Sequence, residues 1–62
     1  MSLFSILKLK LEDLGIIIDT NDKLEYLMIV GNMLQDGDIE EDDDITNSVE
    51  RAFTEVLNSE LN

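Results

Sequence analysis

The sequence contains no cysteine, histidine, proline or tryptophan. Without cysteine there is no disulfide to stabilise a small fold and no thiolate to bind zinc. Without histidine there is no imidazole to act as a metal ligand or general base, and none to activate the serines. The three glycines are isolated and form no phosphate-binding loop. These absences predict a protein that is not an enzyme and that has no cofactor and no metal site.

Basic residues are also scarce, since four of them accompany fifteen acidic residues and give a net charge of −11. The imbalance is concentrated in the second half, because residues 1–35 carry a net charge of −2 and residues 36–62 carry −9. A surface this negative repels phosphate groups and anionic lipids, so we expect neither direct binding to nucleic acid nor binding to a membrane. Such a surface favours basic partners: a positively charged protein groove, polyamines or divalent cations. The predicted partner is another protein with a basic surface.

Apolar runs are short, and none approaches the length of about 18 residues that a membrane span requires. No basic segment precedes the apolar N-terminal residues, so a secretory signal peptide is not expected. The predicted location is cytoplasmic. A chain of 62 residues, of which 44% are apolar, predicts a single small domain with a small core over residues 1–62.

Apolar periodicity predicts an all-α fold, a small three-helix bundle with helices at about residues 2–14, 22–35 and 44–59. In the first segment Ser2 is an expected N-cap and Gly15 an expected helix stop. An α+β fold is the alternative, with an N-terminal hairpin near residues 6–18. That region contains a stretch of alternating leucine and lysine, followed by three consecutive isoleucines.

The second predicted helix is apolar around well over half of its circumference, between an N-cap cluster at Asp19–Asp22 and a stop at Gly37. Two neighbouring helices cannot cover so much apolar surface, so we expect a homo-oligomer to complete the bundle. Gly31 in the middle of this helix indicates a close helix–helix approach. The residues predicted to bind a second copy or another partner through apolar contact are Tyr26, Ile29, Val30 and Met33.

The third predicted helix has the clearest amphipathic pattern, with apolar residues repeating at helical spacing from Ile45 to Leu57. The helix is expected to begin between Asp42 and Asn47. Asp44 and Thr46 are N-cap candidates, and Asn47 with Glu50 matches the spacing of a capping box.

An acidic stretch, Asp36–Asp44, joins the last two helices, and seven of its nine residues are acidic. Three interpretations are open: a solvated loop that caps helices, a calcium loop, or a mimic of nucleic acid that occupies a basic groove. The EF-hand register fails where Asp43 stands in place of glycine and Val49 in place of glutamate. The residues predicted to form the partner-binding acidic surface are Asp36, Asp38, Glu40, Glu41, Asp42, Asp43 and Asp44.

The order of segments along the chain resembles that of acyl carrier proteins. It consists of Asp13-Leu14-Gly15, Leu24-Glu25, the acidic loop and a final amphipathic helix. Those carriers bear phosphopantetheine on the serine of an Asp-Ser-Leu motif. Here the corresponding region reads Asp19-Thr20-Asn21-Asp22, which has no serine, so the carrier function does not follow from the likeness.

Together these patterns predict an acidic protein–protein interaction module. Its expected role is that of an inhibitor or modulator that binds a basic, nucleic-acid-binding surface of another protein. Phages often encode small proteins of this kind, which is an analogy and not a property of the residues. The alternative is a structural or regulatory helical subunit that binds through apolar helix faces, in which the acidic residues only increase solubility.

Overall fold

The computed structural model describes residues 1–61, and within that range the chain forms three α-helices and no strand. Helix α1 is Leu3–Asp13, α2 is Lys23–Asp36 and α3 is Asp43–Leu61. The all-α, three-helix fold predicted from apolar periodicity is therefore confirmed, with each boundary one or two residues from its expected place. In the region considered for a hairpin, residues 6–13 lie in α1 and residues 16–18 have no regular secondary structure.

Local sequence signals set most of the helix ends. The side chain of Ser2 accepts a hydrogen bond from the Ser5 N–H at 3.1 Å, and Asp22 caps α2 through the Glu25 N–H at 3.1 Å. Gly37 ends α2 in the left-handed region, with φ +84°, where a side chain would be strained. These caps stand where the sequence predicts them.

Helix α3 starts within the expected range, but its N-cap is none of the residues predicted for that role, Asp44, Thr46 and Asn47. The carboxylate of Asp42 accepts a hydrogen bond from the Ile45 N–H at 2.8 Å. This places Ile45 in the first turn, from which its side chain enters the core.

Helix α3 is the central element, since both α1 and α2 pack against it. It runs antiparallel to α1, because Lys10 near the end of α1 lies beside Asp44, and Leu3 at its start lies beside Glu55. All three helices, together with the loop before α3, contribute to one apolar core. Its buried members are Phe4, Leu7, Leu11, Tyr26, Leu27, Val30, Ile39, Ile45, Ala52 and Val56.

Candidate functional site

The acidic surface, defined as the seven carboxylates of residues 36–44, lies where α2 ends and α3 begins. All seven side chains are exposed to solvent. Asp36 is the last residue of α2, and Asp43 and Asp44 are in the first turn of α3. The other four stand on the loop between the helices, at Asp38, Glu40, Glu41 and Asp42.

Ile39 anchors this loop to the core. Its side chain is only 2% exposed and belongs to the buried apolar cluster. The backbone N–H groups of Asp38 and Ile39 both donate to the Met33 carbonyl, at 2.9 and 3.3 Å. The acidic side chains therefore project from a segment that packing and hydrogen bonds hold in place, and not from a detached tail.

Two of the seven carboxylates have partners within the chain. Asp42 caps α3, as described above, and Asp44 forms an ion pair with Lys10 at 2.9 Å. The Lys10 ammonium also donates to the Ser48 hydroxyl at 2.9 Å, which fixes it between α1 and α3. Within residues 1–61, the other five acidic side chains accept no hydrogen bond and form no ion pair. These five partner-free carboxylates are Asp36, Asp38, Glu40, Glu41 and Asp43.

The acidic side chains are spread along the surface and do not converge. Across the part of the chain that the structure describes, no three acidic residues come close enough to hold a metal ion between them. A spread of separate carboxylates presents charge over an area, which suits an extended basic surface better than a single cation.

The predicted apolar contact residues divide into two pairs. Tyr26 and Val30 lie in the core, at 1% and 0% exposure, so their side chains do not face outward. Ile29 and Met33 are half-buried. The most exposed apolar side chain of α2 is a residue outside the predicted set, Met28, at 63%. The sequence suggests Met28, with Met33 and Tyr26, as an adaptable apolar surface or as core. Periodicity does not decide between the two, because a helix that is apolar nearly all round does not show which side its neighbours will cover.

Tyr26 has an unusual environment for a buried phenol. Its ring packs edge-on against Phe4, with centroids 5.1 Å apart and an interplanar angle of 71°. Its buried hydroxyl has no hydrogen-bond partner among the described residues. Burial raises the pKa of Tyr26 above 10.0, and the negative charge of Glu12 raises this pKa further. The environment therefore keeps this phenol neutral.

A second polar feature, which the sequence did not reveal, lies where α1 starts. The Glu55 carboxylate accepts the backbone N–H groups of Leu3 and Phe4, at 3.0 and 3.2 Å. These two hydrogen bonds lower the pKa of Glu55 below its ordinary value of 4.5. A shallow groove lies beside them, on the surface of α3 next to the start of α1. It is lined by Leu3, Glu50, Arg51, Thr54, Glu55 and Asn58.

Comparison of the chain with protein-family models, curated proteins and solved structures finds no match. None of the helices described in residues 1–61 combines the length and the apolar character needed to cross a lipid bilayer.

Proposed function

We propose that this protein is an acidic interaction module without enzymatic activity, which binds a basic surface of another protein and inhibits or modulates that protein. The observation that carries the proposal is the set of five partner-free carboxylates on an anchored loop and its flanking helix turns. A carboxylate already paired within its own chain has less to gain from a partner's lysine or arginine, whereas a partner-free one can form a new ion pair.

A nucleic-acid-binding surface is the kind of basic surface we propose as the target. Such surfaces carry lysine and arginine spaced to meet phosphates. The acidic surface offers spaced carboxylates on a folded frame, so little conformational entropy is lost when it docks. Its expected effect is competitive, because nucleic acid and this protein would occupy the same groove.

A quintuple variant tests the proposal. Asp36→Asn, Asp38→Asn, Glu40→Gln, Glu41→Gln and Asp43→Asn together change the net charge from −11 to −6 and leave Asp42 and Asp44 in place. The matched control neutralises five exposed acidic residues elsewhere and reaches the same net charge. Its changes are Glu12→Gln, Asp13→Asn, Glu25→Gln, Glu50→Gln and Glu60→Gln.

Binding is measured against a panel of basic, nucleic-acid-binding proteins at low and high salt. For the wild type, affinity should fall steeply with salt, because screening weakens exposed charge pairs. The quintuple variant should bind far more weakly than the control. If the two variants bind equally, net charge alone explains the interaction, and the acidic surface is not the binding site.

The second candidate function, a helical subunit that binds through apolar faces, is favoured by the exposure of Met28, together with Leu14 at 61% and Ile17 at 76%. Its binding should not weaken with added salt, and the quintuple variant should not weaken it. Self-association of the chain, which the amount of apolar residues in α2 predicts, belongs to this candidate.

A further inference from the structure

The outer side of α2 carries an uncharged stripe, of which one member, Leu24, also packs against the core. The stripe consists of Leu24, Met28, Gly31 and Gln35, which repeat at spacings of four, three and four and so lie along one line of the helix. Leu24 is half-buried and the other three are exposed. It contains no charged residue, although charged residues make up 31% of the chain.

Gly31 is not required by the fold of the protomer. A Cβ atom built on it would meet nothing within 4 Å, and its backbone is helical, so alanine would fit without strain. Glycine inside a helix is less stable than alanine because of its greater freedom in the unfolded chain. A glycine at this exposed point of the helix would permit the close approach of another backbone.

We propose that this stripe is the contact between two copies of the chain, with their α2 helices antiparallel. A two-fold axis between positions 29 and 30 places Met28 of each copy opposite Gly31 of the other. The exposed thioether of Met28 then fills the space beside Gly31 of the other copy. By symmetry this contact occurs twice in the interface. The same axis places Leu24 of each copy opposite Gln35 of the other.

Charge opposes a second copy less at this side of the molecule than at the acidic surface. Two chains of net charge −11 repel each other, and the repulsion is smaller where an uncharged stripe is the contact than where carboxylates meet. Glu25 and Asp36 flank the stripe and lie near one another across the axis, so some repulsion remains. Self-association should therefore strengthen with added salt, which screens this repulsion. The acidic surface has the opposite salt dependence toward a basic partner.

The inference rests on the proposed self-association, and sedimentation equilibrium across a range of protein and salt concentrations tests both. Gly31→Ala is the most informative variant, because its two effects have opposite signs. It should raise the ratio of folded to unfolded protomer about fivefold, measured by denaturant titration at concentrations where the protein is monomeric. It should weaken the dimer about tenfold or more, because the added methyl groups hold the helices apart.

Met28→Glu is the second variant, since it places two like charges beside the axis, and it should abolish the dimer. The control is Leu9→Glu, the same kind of change at a leucine of α1 that is 47% exposed, which should leave the dimer intact. If a dimer forms but its affinity is unchanged by Gly31→Ala and Met28→Glu, or is lowered equally by Leu9→Glu, the proposed interface is wrong, although self-association is not. A chain that stays monomeric at every salt and protein concentration overturns self-association as well.

Discussion

The backbone N–H of Leu3 donates a hydrogen bond to the Glu55 carboxylate at 3.0 Å, although 52 positions separate the two residues in sequence. The other carboxylate oxygen accepts the Phe4 N–H at 3.2 Å. Helix α1 has no acidic residue in its own first turn. Glu55 therefore supplies, from a different helix, the negative charge that a helix N-terminus favours, and it fixes the start of α1 on α3.

Glu55→Gln is expected to lower the thermal unfolding midpoint. The amide keeps one acceptor oxygen and loses the charge, so one of the two N–H groups of α1 loses its partner. Glu50→Gln is the control, because it removes the same charge from an exposed position of α3. Melting curves followed by circular dichroism compare the two variants. Equal midpoints would show that the contact of Glu55 with α1 contributes nothing to stability.

Glu55 also predicts a dependence of stability on pH. Its pKa is lower in the folded chain than in the unfolded chain, so the folded state favours the charged carboxylate. The contribution is complete above pH 4.5 and is lost as the pH falls through the lowered pKa. The midpoint difference between wild type and Glu55→Gln should therefore shrink as the solution is acidified below that pH. A difference that stays constant down to strongly acidic pH would contradict this account.

The helix ends were predictable from sequence because each depends on residues a few positions apart. Ser2 and Asp22 accept hydrogen bonds from N–H groups three residues later, and Gly37 ends its helix through its own backbone conformation. Their capping roles can therefore be predicted without knowledge of the fold. The choice of Asp42 as the cap of α3 was not predictable. Several adjacent aspartates have the same capping chemistry, and the one that caps α3 stands three residues before Ile45, whose side chain is buried in the core.

Contacts between distant residues were beyond prediction from a single sequence. Nothing local to Glu55 shows that the start of α1 will lie beside it, and nothing local to Lys10 indicates Asp44 as its partner. Likewise the apolar pattern of α2 does not separate the buried side chain of Tyr26 from the exposed one of Met28. The seven residues of the acidic surface could be predicted from the sequence. Which five of them form no hydrogen bond or ion pair within residues 1–61 could not.

Tyr26→Phe is expected to leave stability unchanged or to raise it by up to about 1 kcal/mol. The hydroxyl is buried without a hydrogen-bond partner among residues 1–61, so removing it relieves a desolvation cost and leaves the ring contact with Phe4 in place. Urea titration of both proteins measures the difference. A loss of stability in the phenylalanine variant would show that the hydroxyl has an acceptor in solution, with a bridging water as the first candidate.

Tyr26 is the only tyrosine of the chain and there is no tryptophan, so its ionisation can be followed by ultraviolet absorbance without interference. The folded state favours the neutral phenol because burial and Glu12 both oppose the negative charge. Stability from this group is complete below pH 10.0 and is lost as the pH rises through the raised pKa. Phenolate should thus appear at a higher pH in the folded protein than in urea. If the phenol ionises at the same pH in the folded protein and in urea, the burial of Tyr26 is contradicted.

Neighbouring aspartates of the acidic surface should differ in their effect on stability. Asp42→Ala removes the N-cap of α3 and should cost about 1 kcal/mol, whereas Asp42→Asn keeps a capping oxygen and should cost much less. Asp43→Ala removes an exposed charge that makes no hydrogen bond, and its effect should stay within about 0.5 kcal/mol. Denaturant titration of the three variants measures these differences. Equal losses for the two alanine variants would mean that charge, and not capping, determines the stability of this helix end.

Ile39 connects the core to the proposed function, because it holds the loop from which most of the acidic surface projects. Ile39→Val removes one methylene and should cost about 0.5–1.5 kcal/mol. Ile45→Val makes the same change at another buried isoleucine, within α3, and serves as the control. Native-state hydrogen exchange at the amides of residues 38 and 39, which both donate to the Met33 carbonyl, distinguishes them. Ile39→Val should speed exchange at these two amides more than elsewhere, whereas Ile45→Val should not single them out.

A loop loosened in this way must be ordered again when a basic partner binds, so the same variant should also bind more weakly per folded molecule. Ile45→Val, with a comparable loss of global stability, should bind as tightly as wild type once the folded fraction is taken into account. If the two variants bind alike, the anchoring of the loop does not matter for recognition. The carboxylates would then act through their charge alone, and a disordered acidic peptide of the same sequence would serve as well as the folded protein.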